Sequence, residues 1–162
     1  MGKRLSRMSA GQVDPRTGMS DREKRLVLES WRRFCEKNPN YGVLLLLGMF
    51  TKHPEYLKLF RSFKGRNLRT LHDDPKFRAH ASAVGHQLSA MVECLDEPVV
   101  LIELIRKNAI KHRAQPGLRA ENFEGLFSAV LSEIIASDRC LMTHDTVKAW
   151  ERLFEVRYLP LF

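Results

Sequence analysis

The chain has 162 residues, of which 44% are hydrophobic and 28% charged, and a formal net charge of +8. That length fits one domain with a single core, and the composition excludes a wholly disordered or fibrous chain. The longest apolar run, residues 43–47, falls far short of the ~20 residues of a membrane span, and the polar start carries no secretory signal.

Residues 1–19 hold Lys3, Arg4, Arg7 and Arg16 without a helical apolar period, and read as a flexible basic tail before a domain at 20–162. Ser20-Asp21-Arg22-Glu23 has the form of a capping box, in which each end satisfies an orphan helix N–H. Leu26, Val27, Ser30, Trp31 and Phe34 follow at helical spacing until Asn38-Pro39-Asn40 breaks the run. A second helix is predicted from about 41 to 52, then a turn at 55–60 and a polar corner containing Gly65 and Asn67. Asp73-Asp74-Pro75 starts a long helix at about 75–95, since aspartate suits the positive helix N-terminus and proline its first turn. Glu97-Pro98 opens a helix at about 98–113, which Pro116-Gly117 stops. Residues 119–137 are strongly amphipathic, and Thr143 caps a last helix with Val147, Trp150, Leu153 and Phe154 on one stripe. No period-two alternation is sustained anywhere, so the fold class is all-α, with about seven to eight helices.

The three cysteines, Cys35, Cys94 and Cys140, include no C-x-x-C pair and fit a reduced, cytoplasmic protein. Zinc and covalently attached haem both want close cysteine pairs, and neither is expected. The positive charge favours anionic partners, but no recognition motif accompanies it and no nucleic-acid partner is expected. Enzyme fingerprints for serine hydrolysis, phosphate binding, zinc proteolysis and dinucleotide binding are absent from the sequence, so no enzyme is expected beyond secondary iron redox chemistry.

Two of the six histidines fall inside apolar stripes. At ~100° per residue, His80 points with Phe77, Val84, Leu88 and Met91, whereas His86 lies on the wet face. In the next helix His112 points with Leu101, Ile105 and Asn108. A buried neutral imidazole needs partners for both nitrogens, so one such histidine reads as a satisfied core residue. Two on successive helices point to a shared ligand. Haem iron needs one or two axial imidazoles and apolar walls, which these stripes offer.

The pattern resembles the globin family from Ser20 onward. Lys52-His53-Pro54-Glu55 and Leu59-Phe60-Arg61-Ser62-Phe63-Lys64 are similar to the family's turn into its first corner, with Phe60 matching the corner phenylalanine. His80 and Val84 match the distal histidine and valine, and His112 matches the proximal histidine. Trp31 matches the first-helix tryptophan, and Leu46 the distal-pocket position of the second helix. Asn108 stands where the family usually has leucine, which makes the proximal side more polar. The resemblance implies b-type haem with His112 as iron ligand and His80 beside or on the iron. It implies a pocket built from Leu46, Phe60, Phe63, Val84, Leu104, Leu118 and Phe123, with Lys64, Arg66 and Arg113 near the haem carboxylates. Oxygen and other diatomic gases are the expected ligands.

Lys111-His112-Arg113-Ala114 is similar to the proximal segment of neuroglobin, which implies a six-coordinate, bis-histidyl globin in sensing or electron transfer with a redox partner protein. A five-coordinate oxygen carrier is the alternative, and a haem-free helical binding module a remote one. Met1-Gly2-Lys3-Arg4-Leu5-Ser6 also fits the form of an N-myristoylation site, and with Lys3, Arg4 and Arg7 would tether the chain to an anionic membrane surface. The simpler reading of the same residues is a plain basic extension.

Overall fold

A computed structural model describes residues 12–156. Among them are six α-helices, α1 (Asp21–Lys37), α2 (Tyr41–Lys52), α3 (Pro75–Glu93), α4 (Pro98–Arg113), α5 (Ala120–Ser137) and α6 (His144–Val156), and two 3₁₀ helices, Pro54–Leu59 and Leu68–Asp73. The only extended pairing among the described residues is an isolated bridge between Val13 and Ser20. The fold is all-α, as expected. None of the described helices is long and apolar enough to cross a membrane.

Local chemistry sets the helix starts. The Ser20 hydroxyl accepts from the Glu23 N–H at 3.3 Å while Glu23 accepts from the Ser20 N–H at 2.7 Å, closing both halves of the capping box. Asp74 caps α3 by accepting from the N–H groups of Lys76 and Phe77. Thr143 accepts from the Thr146 N–H at the start of α6. The second 3₁₀ helix, which the sequence reads as part of a polar corner, is started by Asn67 accepting from the Arg69 N–H at 2.9 Å.

Two apolar clusters hold the helices. The larger joins all six α-helices around Trp31, Phe34 and Trp150; the smaller joins α2, α3, the corner segment and Ala129 of α5 around Phe50, Phe63 and Phe77. α2 and α3 cross closely because glycines face the crossing: a Cβ at Gly42 would run into the Ala81 carbonyl, and one at Gly85 would sit 2.7 Å from the Tyr41 ring. This crossing carries Leu46 and His80 towards the same side.

The segment 12–19, read from sequence as flexible tail, packs on the helical body. Met19 is fully buried in the larger cluster, and the buried Lys24 ammonium lies 3.8 Å from Asp14. A lone apolar residue among polar ones gives no period, so its burial is invisible to pattern reading. The Gly2 motif and Arg4 and Arg7 lie outside the described residues.

Candidate functional site

Two contiguous cavities of about 370 and 310 Å³ open between α3, α4, α5 and the corner, and share His80, Val84, His112, Gln115, Phe123 and Leu126 in their walls. The first adds Leu46, Phe60, Phe63 and Leu118. Of the pocket residues expected from sequence, Leu104 alone lies elsewhere, packed against the larger apolar cluster. One residue along, Ile105 takes the cavity-facing position, in register with Asn108 and His112. The 100° between neighbouring helix positions decides which of two leucine-like residues lines a wall.

The His112 ring is held by its own helix. Nδ1 lies 2.7 Å from the Asn108 carbonyl oxygen one turn earlier, and a carbonyl can only accept. Nδ1 is therefore the donor, and in the neutral ring this tautomer leaves the lone pair on Nε2. Phe123 packs edge-on against the ring, with centroids 5.2 Å apart. This is the arrangement that suits an imidazole for metal ligation, since the second nitrogen's partner fixes tautomer and orientation.

His80 differs. Among the described residues neither of its nitrogens has a hydrogen-bond partner. Its ring rests against Phe60 at 5.1 Å, edge-on, and against Phe63 at 5.9 Å. Burial first, and then the neighbouring His112 imidazole, hold its pKa below the ordinary histidine value, so it is neutral at pH 7. A half-buried neutral imidazole without a protein partner is ready to take one from the cavity.

No group of three or more His, Cys, Asp or Glu side chains comes together among the described residues. The site thus offers two imidazoles and apolar walls, a donor set too small to complete the coordination of a bare metal ion. It suits an iron that brings its own equatorial nitrogens in a flat apolar ring. The residues present fit haem.

The basic rim is not the one expected. Arg66 is engaged by Asp74 at 3.2 Å, and Lys64 and Arg113 are exposed and line neither cavity. Arg61, Lys76 and Lys111 line the cavities instead. Asp74, the α3 cap, stands eight residues after Arg66, and only the folded corner brings them together. Sequence reasoning also passed over Met49, Gln115, Asn122 and Leu126, of which Leu126 lies on the visible stripe of α5.

The globin family model matches residues 44–158. A globin from Nerita albicilla is 28% identical over 142 residues, covering 88% of this chain and 90% of its own length. In structure, the hexa-coordinate haemoglobin of Drosophila melanogaster superposes with a TM-score of 0.76 at 22% identity, over 86% of this chain and 91% of its own. Ferric myoglobin of Aplysia limacina gives 0.77 at 22% identity, over 86% of this chain and 93% of its own. At these identities the structural likeness is one of fold.

Proposed function

The chain belongs to the globin family, whose cofactor is haem, and from that premise we propose a six-coordinate haem protein with His112 and His80 as the two axial ligands. The observation that carries this reading is that both imidazoles face one apolar cavity, His112 with Nε2 kept free by its bond to Asn108, His80 neutral and without a protein partner. When bound, the haem iron supplies the position at which a diatomic gas and an imidazole can compete.

Leu46, Phe60, Val84, Leu118 and Phe123 keep water from that position, and Arg61, Lys76 and Lys111 meet the anionic edge of the cofactor. His80 as an internal ligand would compete with an incoming gas such as oxygen, and the apparent gas affinity would fall by the fraction of molecules in which His80 is disengaged. This gating suits sensing or redox exchange with a partner protein better than bulk oxygen storage. The Drosophila protein of similar fold is described as hexa-coordinate, which supports the reading.

A second reading has its own observation. The rings of Phe60 and Phe63 give His80 a resting place beside the iron position, from which it would donate a hydrogen bond to a gas in a five-coordinate carrier. The absorption spectrum of the deoxygenated ferrous protein separates the two: low-spin bands are expected, and a high-spin spectrum would establish the carrier. The Gly2 lipid tether is proposed on its motif alone; an intact mass from native cells that shows unmodified Gly2 removes it.

A further inference from the structure

Among the described residues the exposed large hydrophobic side chains are Val13, Val99, Val100 and Ile110, and all but Val13 lie on α4. That helix is also the least buried. Each of the other α-helices buries five residues, whereas α4, 16 residues long, buries only Leu101 and Ile105. One side of α4 faces the cavity with Asn108 and His112. At ~100° per residue, Val99, Glu103, Arg106 and Ile110 fall within about 60° of one another on the opposite side, a face about 16 Å long.

Read from either end, this face runs apolar, charged, charged, apolar, with the two charges of opposite sign. Glu103 and Arg106 stand equally far from the midpoint between Leu104 and Ile105, and so do Val99 and Ile110. Two such faces laid antiparallel about a two-fold axis at that midpoint set Val99 against the partner's Ile110 and Glu103 against the partner's Arg106. Within one chain Arg106 donates to Glu103 through Nε at 3.1 Å and Nη2 at 2.7 Å, and both bonds end on Oε2. Glu103 Oε1 and Arg106 Nη1 have no partner among the described residues, so each pair keeps one acceptor and one donor group for its symmetry mate.

We infer that the outer face of α4 is an interaction surface for a second copy of this chain, which pairs antiparallel through Val99, Glu103, Arg106 and Ile110. The self-matching order selects a copy over an unrelated partner, because an isologous interface requires one patch to complement itself. Glu103 and Arg106 of both copies ring the axis, and a Val99–Ile110 contact closes each end. A face of this length falls below the standard interface size, which places the dimer in the weak, reversible class. The chain carries a net charge of +8, but at physiological salt a screening length of about 8 Å leaves the local charge order to decide the contact. The partner lies behind the helix that presents His112, and so braces from outside an element that its own chain buries little. The surface is separate from the cavity, so the inference does not depend on which groups ligate the iron.

Sedimentation velocity of the full chain at physiological salt, from micromolar to millimolar protein, should show a monomer passing into a dimer as concentration rises. Ile110→Ser, Glu103→Arg and Arg106→Glu should each weaken the dimer about tenfold or more, since the symmetry repeats every change. The double variant Glu103→Arg, Arg106→Glu exchanges the signs and should recover most of the lost affinity. These side chains are exposed, so circular dichroism should show the same helix content in every variant. A chain that stays monomeric throughout, whether its own residues 1–11 or another partner covers the face, overturns the inference. A dimer indifferent to Ile110→Ser and Glu103→Arg places the contact elsewhere. A double variant as weak as its single parents refutes the antiparallel pairing.

Discussion

Gly42 and Gly48 lie on the same helix, and the same substitution at each should have opposite effects. A Cβ at Gly42 would run into the Ala81 carbonyl oxygen, with the carbonyl carbon at 2.8 Å and the Ser82 nitrogen at 3.4 Å. These are backbone atoms of α3 and cannot rotate away, so Gly42→Ala must push α3 outward. Overpacking of this kind costs roughly 1–3 kcal/mol, and with no side chain able to yield we take the upper end, offset by a helix-propensity gain of up to about 1 kcal/mol. At Gly48 the new Cβ meets only the Glu133 side chain, its Oε1 at 2.6 Å. That carboxylate can swing towards solvent, leaving Gly48→Ala with most of the propensity gain. The two variants should therefore differ by about 3 kcal/mol, which for a domain of this size is on the order of 6–12 °C in melting temperature. Thermal unfolding of the two haem-loaded proteins, followed by circular dichroism at one haem-to-protein ratio, reads this difference. Because α3 carries His80 and Val84, Gly42→Ala should also shift the haem spectrum and Gly48→Ala should not. If Gly42→Ala melts with or above Gly48→Ala, the close α2–α3 crossing is not as tight as the distances require.

His112→Gly should abolish the native haem spectrum, and added imidazole should restore it; an unchanged spectrum in His112→Gly rejects the axial assignment. Met19→Ala should destabilise by about 2–4 kcal/mol by chemical denaturation, as for a fully buried methionine, whereas a cost within ~0.5 kcal/mol would return residues 12–19 to the tail. The Cys35 thiol, pushed up to about 11 by burial, which outweighs the lowering hydrogen bond from Ser89, and further by the Glu93 and Glu36 carboxylates, stays protonated at pH 8, so the exposed Cys140 should be alkylated well before it. The raised thiol pKa also means that Cys35 supports the fold at neutral pH and that this support is lost as the pH rises towards 11. Cys35 labelling as fast as Cys140 at pH 8 refutes the burial argument.

Which features were legible in the sequence follows from the range of the interaction that makes them. Ser20 with Glu23 and Asp74 with Lys76 act over two or three residues, and both caps stand in the structure where their motifs place them. The second 3₁₀ helix was missed because Leu68 and Leu71, one turn apart, are its only apolar residues, too short a pattern to stand out in a polar stretch. Leu104 and Ile105 both belong to the apolar side of α4, and only the packing of that helix against the larger cluster decides which of them turns towards the cavity. The pairing of Arg66 with Asp74 was not legible for a related reason. The carboxylate serves at once as the cap of α3, so the corner must fold before the arginine finds it.

The candidate site divides along the same line. Phase alone turns His80 and His112 inward, because each lies on the period of its own helix. That their rings share one cavity depends on the α2–α3 crossing at Gly42 and Gly85, which no stripe records. The bond from His112 to the Asn108 carbonyl is different again: it is an i to i−4 contact available to any helical histidine, and its significance appears only once Nε2 is seen to face the cavity. The file of aromatic rings formed by Phe127, Phe154, Trp150, Trp31 and Tyr41 is the extreme case, since its rings come from α1, α2, α5 and α6 and no two of its tryptophans share a helix. In the sequence Trp31, Tyr41 and Trp150 are three large residues suited to burial, and a core reading accounts for each alone. Their placement end to end, with Tyr41 at an outer pocket beside the α2–α3 crossing, exists only in the folded chain.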